Sequence, residues 1–213
     1  FIKRIYIICL FVTIFFVNSG SFAKVSTIQY TKENFSNYFL GIVSAKQDYN
    51  REAFKYLKKV QSLKDNHSKF NIEFVRTLIL LEKYDRAFSF SKNVWKENEL
   101  FFEADLLLGL NYFIKKDFIN AEKHFKRLNK ISLYNLFYED FFGNILIAWV
   151  KASKGNINES FKFLEKIPNS YHHLVKTQNS FLQCYFDTKI THESYTELIK
   201  NEEYDFSRYN FFL

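Results

Sequence analysis

Histidines are the residues of this sequence with the plainest metal-binding chemistry, but their spacing argues against a metal site. His172 and His173 are adjacent, whereas His67, His124 and His192 are isolated. Two adjacent side chains on a helix point about 100° apart, so they present their ring nitrogens poorly to one ion. We therefore expect no metal site, and we interpret the adjacent pair as surface residues.

Nucleophiles and cofactor loops are equally scarce. The chain has no HExxH, GxSxG, CxxC or GxGxxG motif, the patterns of metallopeptidases, serine hydrolases, thiol redox sites and dinucleotide sites. Its Asp and Glu residues mostly lie beside Lys, which is typical of solvated helix faces. Cys184 stands among apolar residues and is expected to be buried and unreactive. We expect no catalytic residue, no cofactor and no enzymatic activity.

The first 23 residues have the three regions of a secretory signal peptide. Lys3 and Arg4 precede a 13-residue apolar run at 5–17, and Ser21 and Ala23 occupy small-residue positions before a cleavage point. Thirteen apolar residues are short for a membrane span, which takes about 20. We expect cleavage before Lys24 and export to the periplasm or cell envelope. The alternative is an uncleaved anchor, which would be the chain's only membrane contact.

Charge and cysteine content exclude two further classes. Loss of Lys3 and Arg4 with the leader leaves 28 basic and 23 acidic residues, a balance of +5 that is spread along the chain. We interpret this charge as solvated helix faces, and we expect no nucleic-acid partner because exported proteins rarely meet nucleic acid. Without Cys9, Cys184 is the only thiol, so packing rather than an intrachain disulfide must stabilise the fold.

A regular repeat organises the rest of the chain. Ala53, Ala87 and Ala121 follow one another at intervals of thirty-four positions, and Gly41 and Gly109 each stand twelve positions before an alanine of this series. One Pro and five Gly among 213 residues permit long helices. Apolar residues recur at spacings of three and four in four segments, 35–46, 71–83, 103–116 and 141–154.

The fourth unit begins five positions late. Ser160 follows Ala121 by thirty-nine positions, and Ala148 stands twelve before Ser160. A weaker fifth unit places Ser194 one full repeat, thirty-four positions, after Ser160. We assign the extra residues to the connection at 129–140. One helix pair of this length cannot bury its apolar face alone, so such units stack into a solenoid.

This pattern resembles that of the tetratricopeptide repeat (TPR) family, whose 34-residue unit reads W-x2-L-G-x2-Y, then A-x3-F, then P. The third unit matches best, but the tryptophan position holds Asn37, Asn71, Asp105 and Asn144. The resemblance implies an all-α, right-handed superhelical solenoid of about five antiparallel helix pairs, which we place at 34–205. A short segment at 24–33 precedes the solenoid, and a further helix is expected to start at 206–213. The structural repeat positions are Gly41, Ala53, Ala87, Gly109, Tyr112, Ala121, Phe125 and Ala148.

Members of this family bind peptides or helices in a concave groove lined by the first helix of each unit. Transfer of those positions to this chain predicts a groove that is apolar in the middle and polar at both ends. Two interpretations stay open: a partner binds there, or a tight superhelix or a missing C-terminal segment buries the strip. The groove candidates are Tyr38, Ile42, Ile72, Arg76, Leu106, Leu110, Phe113, Ile145 and Trp149.

The sequence thus predicts a non-catalytic protein–protein interaction scaffold with a protein or peptide as its partner. One alternative is a repeat module of a larger envelope protein whose catalytic or membrane part is missing. Another is an outer-membrane assembly factor, against which counts the lack of a cysteine at the cleavage point. The chain begins with Phe1 and ends on Phe211, Phe212 and Leu213. A terminal cap should be polar, so we expect the sequence to be a fragment.

Overall fold

The computed structural model of the protein describes residues 31–132 and 141–200. The expected signal peptide at 1–23 and the expected further helix at 206–213 lie outside the described residues. Within them there are two 3-10 segments, Lys58–Asp65 and Asn169–Tyr171, and no strand. The α-helices are α1 (Lys32–Lys46), α2 (Asn50–Leu57), α3 (Ser68–Leu80), α4 (Tyr84–Val94), α5 (Phe102–Ile114), α6 (Phe118–Ser132), α7 (Phe141–Ser153), α8 (Ile157–Leu164), α9 (His172–Tyr185) and α10 (Thr191–Ile199).

The helices pack in sequential pairs. We call α1, α3, α5, α7 and α9 the A helices, and α2, α4, α6, α8 and α10 the B helices. Each A helix packs against its own B helix, and each B helix from α2 to α8 also packs against the next A helix. In addition, α1 contacts α3, and α3 contacts α5. The prediction of an all-α solenoid of helix pairs is confirmed. None of the described helices has the length and apolarity that crossing a membrane requires.

The core lies between neighbouring helices and follows the apolar periodicity. On α3, Phe70, Phe74 and Leu78 recur every four residues and are all buried, so one stripe of the helix faces inward. The rings of Phe70 and Phe74 pack edge-on against Phe90 of α4. At the start of α3, Nδ1 of His67 accepts a hydrogen bond from the backbone N–H of Phe70 at 3.2 Å and caps the helix.

Small residues allow the two helices of a pair to approach closely. A Cβ atom at Gly41 would lie 2.5 Å from Cδ2 of Leu57 on α2, and one at Gly109 would overlap the ring of Phe125 on α6. Both contacts join an A helix to its own B helix, so these glycines are required by packing. The alanines of the repeat pattern have no exposed surface; they are Ala53, Ala87, Ala121 and Ala148.

All five A helices end in the same backbone motif, although only one has glycine there. In the third unit, Lys116 has a φ of 61°; its N–H bonds to the carbonyl of Phe113, and the N–H of Asp117 bonds to the carbonyl of Tyr112, both at 2.9 Å. This is the Schellman arrangement, in which a residue in the left-handed region closes the helix. The equivalent residues with positive φ are Asp48, Glu82, Lys116, Gly155 and Asp187.

We expect Lys116→Gly to raise the free energy of unfolding by up to about 1 kcal/mol. A side chain in the left-handed region costs about 1–2 kcal/mol, which the greater backbone entropy of unfolded Gly partly offsets. Lys115 has a φ of −79°, so Lys115→Gly should instead lower the free energy of unfolding by about 0.5–1 kcal/mol. Urea denaturation of both variants measures the difference, and equal losses at the two positions would contradict the motif.

Candidate functional site

An apolar cleft of about 370 Å³ lies where α3, α4 and α5 meet. Its lining is mainly aliphatic and aromatic, with carboxylates from Asp85 and Glu103 beside it. Tyr84, Leu110 and Ile114 are exposed, so the cleft opens to solvent. This combination of an apolar interior and a few polar groups suits the binding of a side chain or short segment. The apolar lining comes from Ile79, Tyr84, Phe88, Leu106, Leu107, Leu110 and Ile114.

Among the groove candidates of the third and fourth units, Leu106 and Leu110 lie together in this cleft. Phe113 packs against Phe118 of α6, with ring centroids 5.8 Å apart. Ile145 and Trp149 pack in a separate cluster between α7, α8 and α9. There Nε1 of Trp149 donates a hydrogen bond to Oε1 of Gln178 on α9 at 2.8 Å. The structure therefore does not bring Trp149 into the cleft that Leu110 lines.

The groove candidates of the first two units lie on α1 and α3. The ring of Tyr38 packs on His67, with centroids 4.8 Å apart, and burial together with nearby Glu73 raises the pKa of the Tyr38 hydroxyl. Nε of Arg76 donates to Oε1 of Glu103 at 2.6 Å, which joins α3 to α5. The two remaining candidates, Ile42 and Ile72, are half-buried.

A second ion-pair group joins α1 to α3. The buried carboxylate of Glu73 lies 3.1 Å from Nζ of Lys46 on α1 and 3.3 Å from Nζ of Lys69. Burial by itself raises the pKa of Glu73, but the two ammonium groups outweigh it and hold the pKa below its ordinary value of 4.5. Glu73 is thus an exception to the expectation that acidic residues lie on exposed faces. With Arg76 and Glu103, it links three consecutive A helices.

A buried polar cluster surrounds Asp105. In the sequence, this residue stands out only because it replaces the tryptophan of the TPR motif. Oδ1 of Asp105 accepts from Nε1 of Trp95 at 2.8 Å and from Nε of Arg127 at 2.9 Å, and it lies 2.9 Å from Nδ1 of His124. The ring of His124 is packed between Trp95 and Tyr112. Because His124 is enclosed by these rings, the Asp–His contact is closed to a substrate, and we interpret the cluster as structural.

Arg127 ties this cluster to the connection between α4 and α5. Its terminal nitrogens donate to the backbone carbonyls of Lys96, Glu97 and Glu99, and its guanidinium lies over the ring of Trp95, 4.9 Å from the ring centroid. Carbonyl groups in a connection have no helical partner, so a buried guanidinium with several donors satisfies them. The cluster therefore holds the 95–101 connection against α5 and α6.

Asp105 belongs to a series of buried polar residues at the place where the family has tryptophan. Nδ2 of Asn71 donates to the carbonyl of Lys64 at 2.8 Å, and Oδ1 of Asn144 accepts from Nδ2 of Asn129 at 2.9 Å. On α3, α5 and α7, a polar side chain thus fastens the A helix to the segment before it. In the sequence, this series was indicated by a polar residue at the tryptophan position of each unit, on a helix face that is otherwise buried. The series is Asn37, Asn71, Asp105 and Asn144.

One expectation about a reactive side chain is wrong. Cys184 is exposed rather than buried. Leu182, two residues earlier on α9, is fully buried, and two helical residues differ by about 200° around the axis, so Cys184 points to solvent. As for metal ligands, the described part of the chain contains no group of three or more His, Cys, Asp or Glu side chains that could hold an ion.

Comparison with known proteins connects this chain to solved structures only. No protein-family model and no curated protein matches the sequence. A MamA chain from Desulfovibrio magneticus RS-1 that runs from residue 41 to the end superposes with a TM-score of 0.63 at 15% identity, over 81% of this chain and 97% of that one. PilW, described as a widely conserved type IV pilus biogenesis factor, gives 0.58 at 13% identity, over 84% and 83%. A thermophilic TPR protein of Thermus thermophilus, TTC0263, gives 0.52 at 12% identity, over 83% and 97%.

Proposed function

We propose that this chain, which has the fold of the TPR-like repeat proteins, is a non-catalytic scaffold that binds a segment of a partner protein in the cleft between α3, α4 and α5. The fold supports a role in protein interaction in general. The observation that carries the specific proposal is the cleft itself, where the exposed side chains of Tyr84, Leu110 and Ile114 line one apolar depression. Exposed apolar surface of this kind marks binding sites.

The cleft's size and lining indicate what it would accept. A volume of about 370 Å³ is at the small end of ligand pockets, so it suits one or two apolar anchor side chains rather than a whole domain. An amphipathic helix or extended segment presents such anchors at regular spacing. We propose a peptide segment with an aliphatic or aromatic anchor as the ligand, and neither nucleic acid nor a cofactor.

We further propose that the protein acts in the periplasm or cell envelope. The signal-like leader at 1–23 supports export. The structural likeness to PilW, described as a pilus biogenesis factor, is consistent with that compartment.

Two isoleucines provide a matched test of the cleft. Ile114 lines the cleft and is 77% exposed, whereas Ile119 on α6 does not line it and is 78% exposed. A photocrosslinking amino acid at position 114 of the full chain should trap a partner that the same group at position 119 does not trap. Mass spectrometry then identifies that partner.

With the partner purified, Ile114→Lys should weaken binding at least about tenfold, because loss of a central anchor costs more than about 1.4 kcal/mol. Ile119→Lys should leave binding unchanged, and neither variant should alter the melting temperature because both side chains are already solvated. Equal affinities for the two variants would refute the cleft as the binding site. Substrate turnover by the purified chain would refute the non-catalytic role.

A further inference from the structure

Helix α1 carries an exposed apolar face that the proposed function does not use. Phe35, Phe39, Leu40 and Val43 are between 45% and 65% exposed. Their spacing places them along one side of the helix, and the rings of Phe35 and Phe39 are in contact, with centroids 4.6 Å apart. Four large apolar side chains in a row exceed what scattered surface residues explain.

The repeat register shows what this face does elsewhere in the chain. On α3, the positions one repeat of thirty-four residues after Phe39, Leu40 and Val43 are all buried. They hold Glu73, Phe74 and Thr77. The counterparts of Leu40 on α5 and α7, Leu108 and Ile147, are buried as well. In these helices the preceding unit covers the face. On α1, no helix of the described ranges covers it, so α1 retains a surface shaped for helix docking.

We propose that this face of α1 binds the same face of a second copy of the chain, with the two α1 helices antiparallel. A two-fold axis between Phe39 and Leu40 places each of these residues opposite the other in the second copy. Such an isologous contact requires a patch that is complementary to itself. The charges at the two ends of α1 meet this requirement.

Glu33 lies seven residues before Leu40, and Lys46 lies seven residues after Phe39, so both charges extend the apolar stripe along the same side of the helix. The antiparallel arrangement sets Glu33 beside Lys46 of the second copy. Lys46 already lies 3.1 Å from Oε1 of Glu73 on α3, but its side chain is 55% exposed, so its ammonium group has a donor left for a second carboxylate. A parallel arrangement would instead oppose Glu33 to Glu33 and Lys46 to Lys46, which is repulsive. Charge complementarity therefore selects an antiparallel second copy.

This interface goes beyond the proposed partner cleft and is compatible with it. The cleft is built from α3, α4 and α5, whereas the dimer uses α1. Each dimer would present two clefts, so a partner with two anchor segments would bind with higher apparent affinity through a raised effective concentration. A single helix pair buries little area, and we expect a weak dimer that dissociates on dilution.

Sedimentation velocity of the full chain over a range of concentrations tests the dimer. We expect a reversible monomer–dimer equilibrium, and Phe39→Lys should raise the dissociation constant at least about tenfold. The monomer's melting temperature should change little, because Phe39 is 50% exposed and its ring contacts, with Phe35 and Tyr38, lie within α1. Ile119→Lys, at a more solvated apolar site on α6 (78% exposed, against 50% for Phe39), should dimerise like the wild type. A chain that stays monomeric at every concentration overturns the proposal. If Phe39→Lys also lowers the melting temperature of that monomer, the chain itself covers this face of α1.

Cysteine crosslinking tests the orientation. With Cys9 and Cys184 replaced by Ser, a mixture of Glu33→Cys and Lys46→Cys chains should crosslink through a short bismaleimide. Glu33→Cys alone should not, because thirteen residues of helix separate the two sites by about 20 Å. Crosslinking of Glu33→Cys chains to one another, with no product that joins a Glu33→Cys chain to a Lys46→Cys chain in the mixture, would overturn the antiparallel arrangement.

Discussion

Asp105→Ala is expected to lower the free energy of unfolding by about 3–5 kcal/mol, the usual cost of removing one partner from a buried ion pair. The substitution leaves the guanidinium of Arg127 buried without its carboxylate, and it removes the acceptor of Trp95 Nε1. Domains of this size are stable by about 5–15 kcal/mol, so a large share of the stability would be lost. Urea denaturation followed by circular dichroism measures the effect.

Glu97→Ala is the matched control for this experiment. Glu97 belongs to the same connection between α4 and α5, and its carboxylate pairs with Lys123 at 2.9 Å, but its side chain is largely exposed. Exposed ion pairs contribute little to stability, so the denaturation midpoint should barely move. If Asp105→Ala were as harmless as Glu97→Ala, the cluster would not be holding the connection in place.

Gly109→Leu is expected to cost about 1–3 kcal/mol or more, because the new side chain would occupy space that the ring of Phe125 fills. Ala121→Leu should behave similarly, since Ala121 is fully buried on the facing helix α6. Both substitutions force atoms between packed helices that cannot separate without losing other contacts. Thermal melts of the purified chain measure the loss.

Lys116→Leu is the control for added bulk. Lys116 is exposed and already carries a Cβ atom at its positive φ, so leucine adds no new backbone strain and remains in solvent. Its melting temperature should stay close to that of the wild type. Identical melts for Gly109→Leu, Ala121→Leu and Lys116→Leu would refute the assignment of the small residues to helix contacts.

The repeat fold was predictable because it depends on local spacing. The distances between Ala53, Ala87 and Ala121 mark the helix pairs, and the TPR resemblance that they suggested is confirmed by the likeness to solved TPR-type structures. The same spacing recurs in the backbone, since Asp48, Glu82 and Lys116 end their helices at the interval that separates the alanines. This second series has no conspicuous residue type, so composition alone could not reveal it.

The candidate site was less predictable because it depends on distances between units. The groove positions transferred from the TPR family include Leu106 and Leu110, two residues of the cleft. They do not include Tyr84 and Phe88, which line the cleft from the start of a B helix. The Asp105 cluster was missed for a different reason. A charged residue in a sequence argues for the surface, and only the three-dimensional placement of Trp95 and Arg127, ten positions before and twenty-two after Asp105, supplies the partners that permit burial.

The pairing of helices only with close neighbours along the chain bears on how the protein acquires its structure. Every extensive contact between described α-helices joins helices that are consecutive or separated by one α-helix. A protein with such local contacts has little loop-closure entropy to overcome and folds rapidly. A chain that leaves an export channel with its N-terminus first can therefore complete α1 and α2 before α9 and α10 have emerged, and proteolysis of chains arrested during export should detect protected N-terminal units.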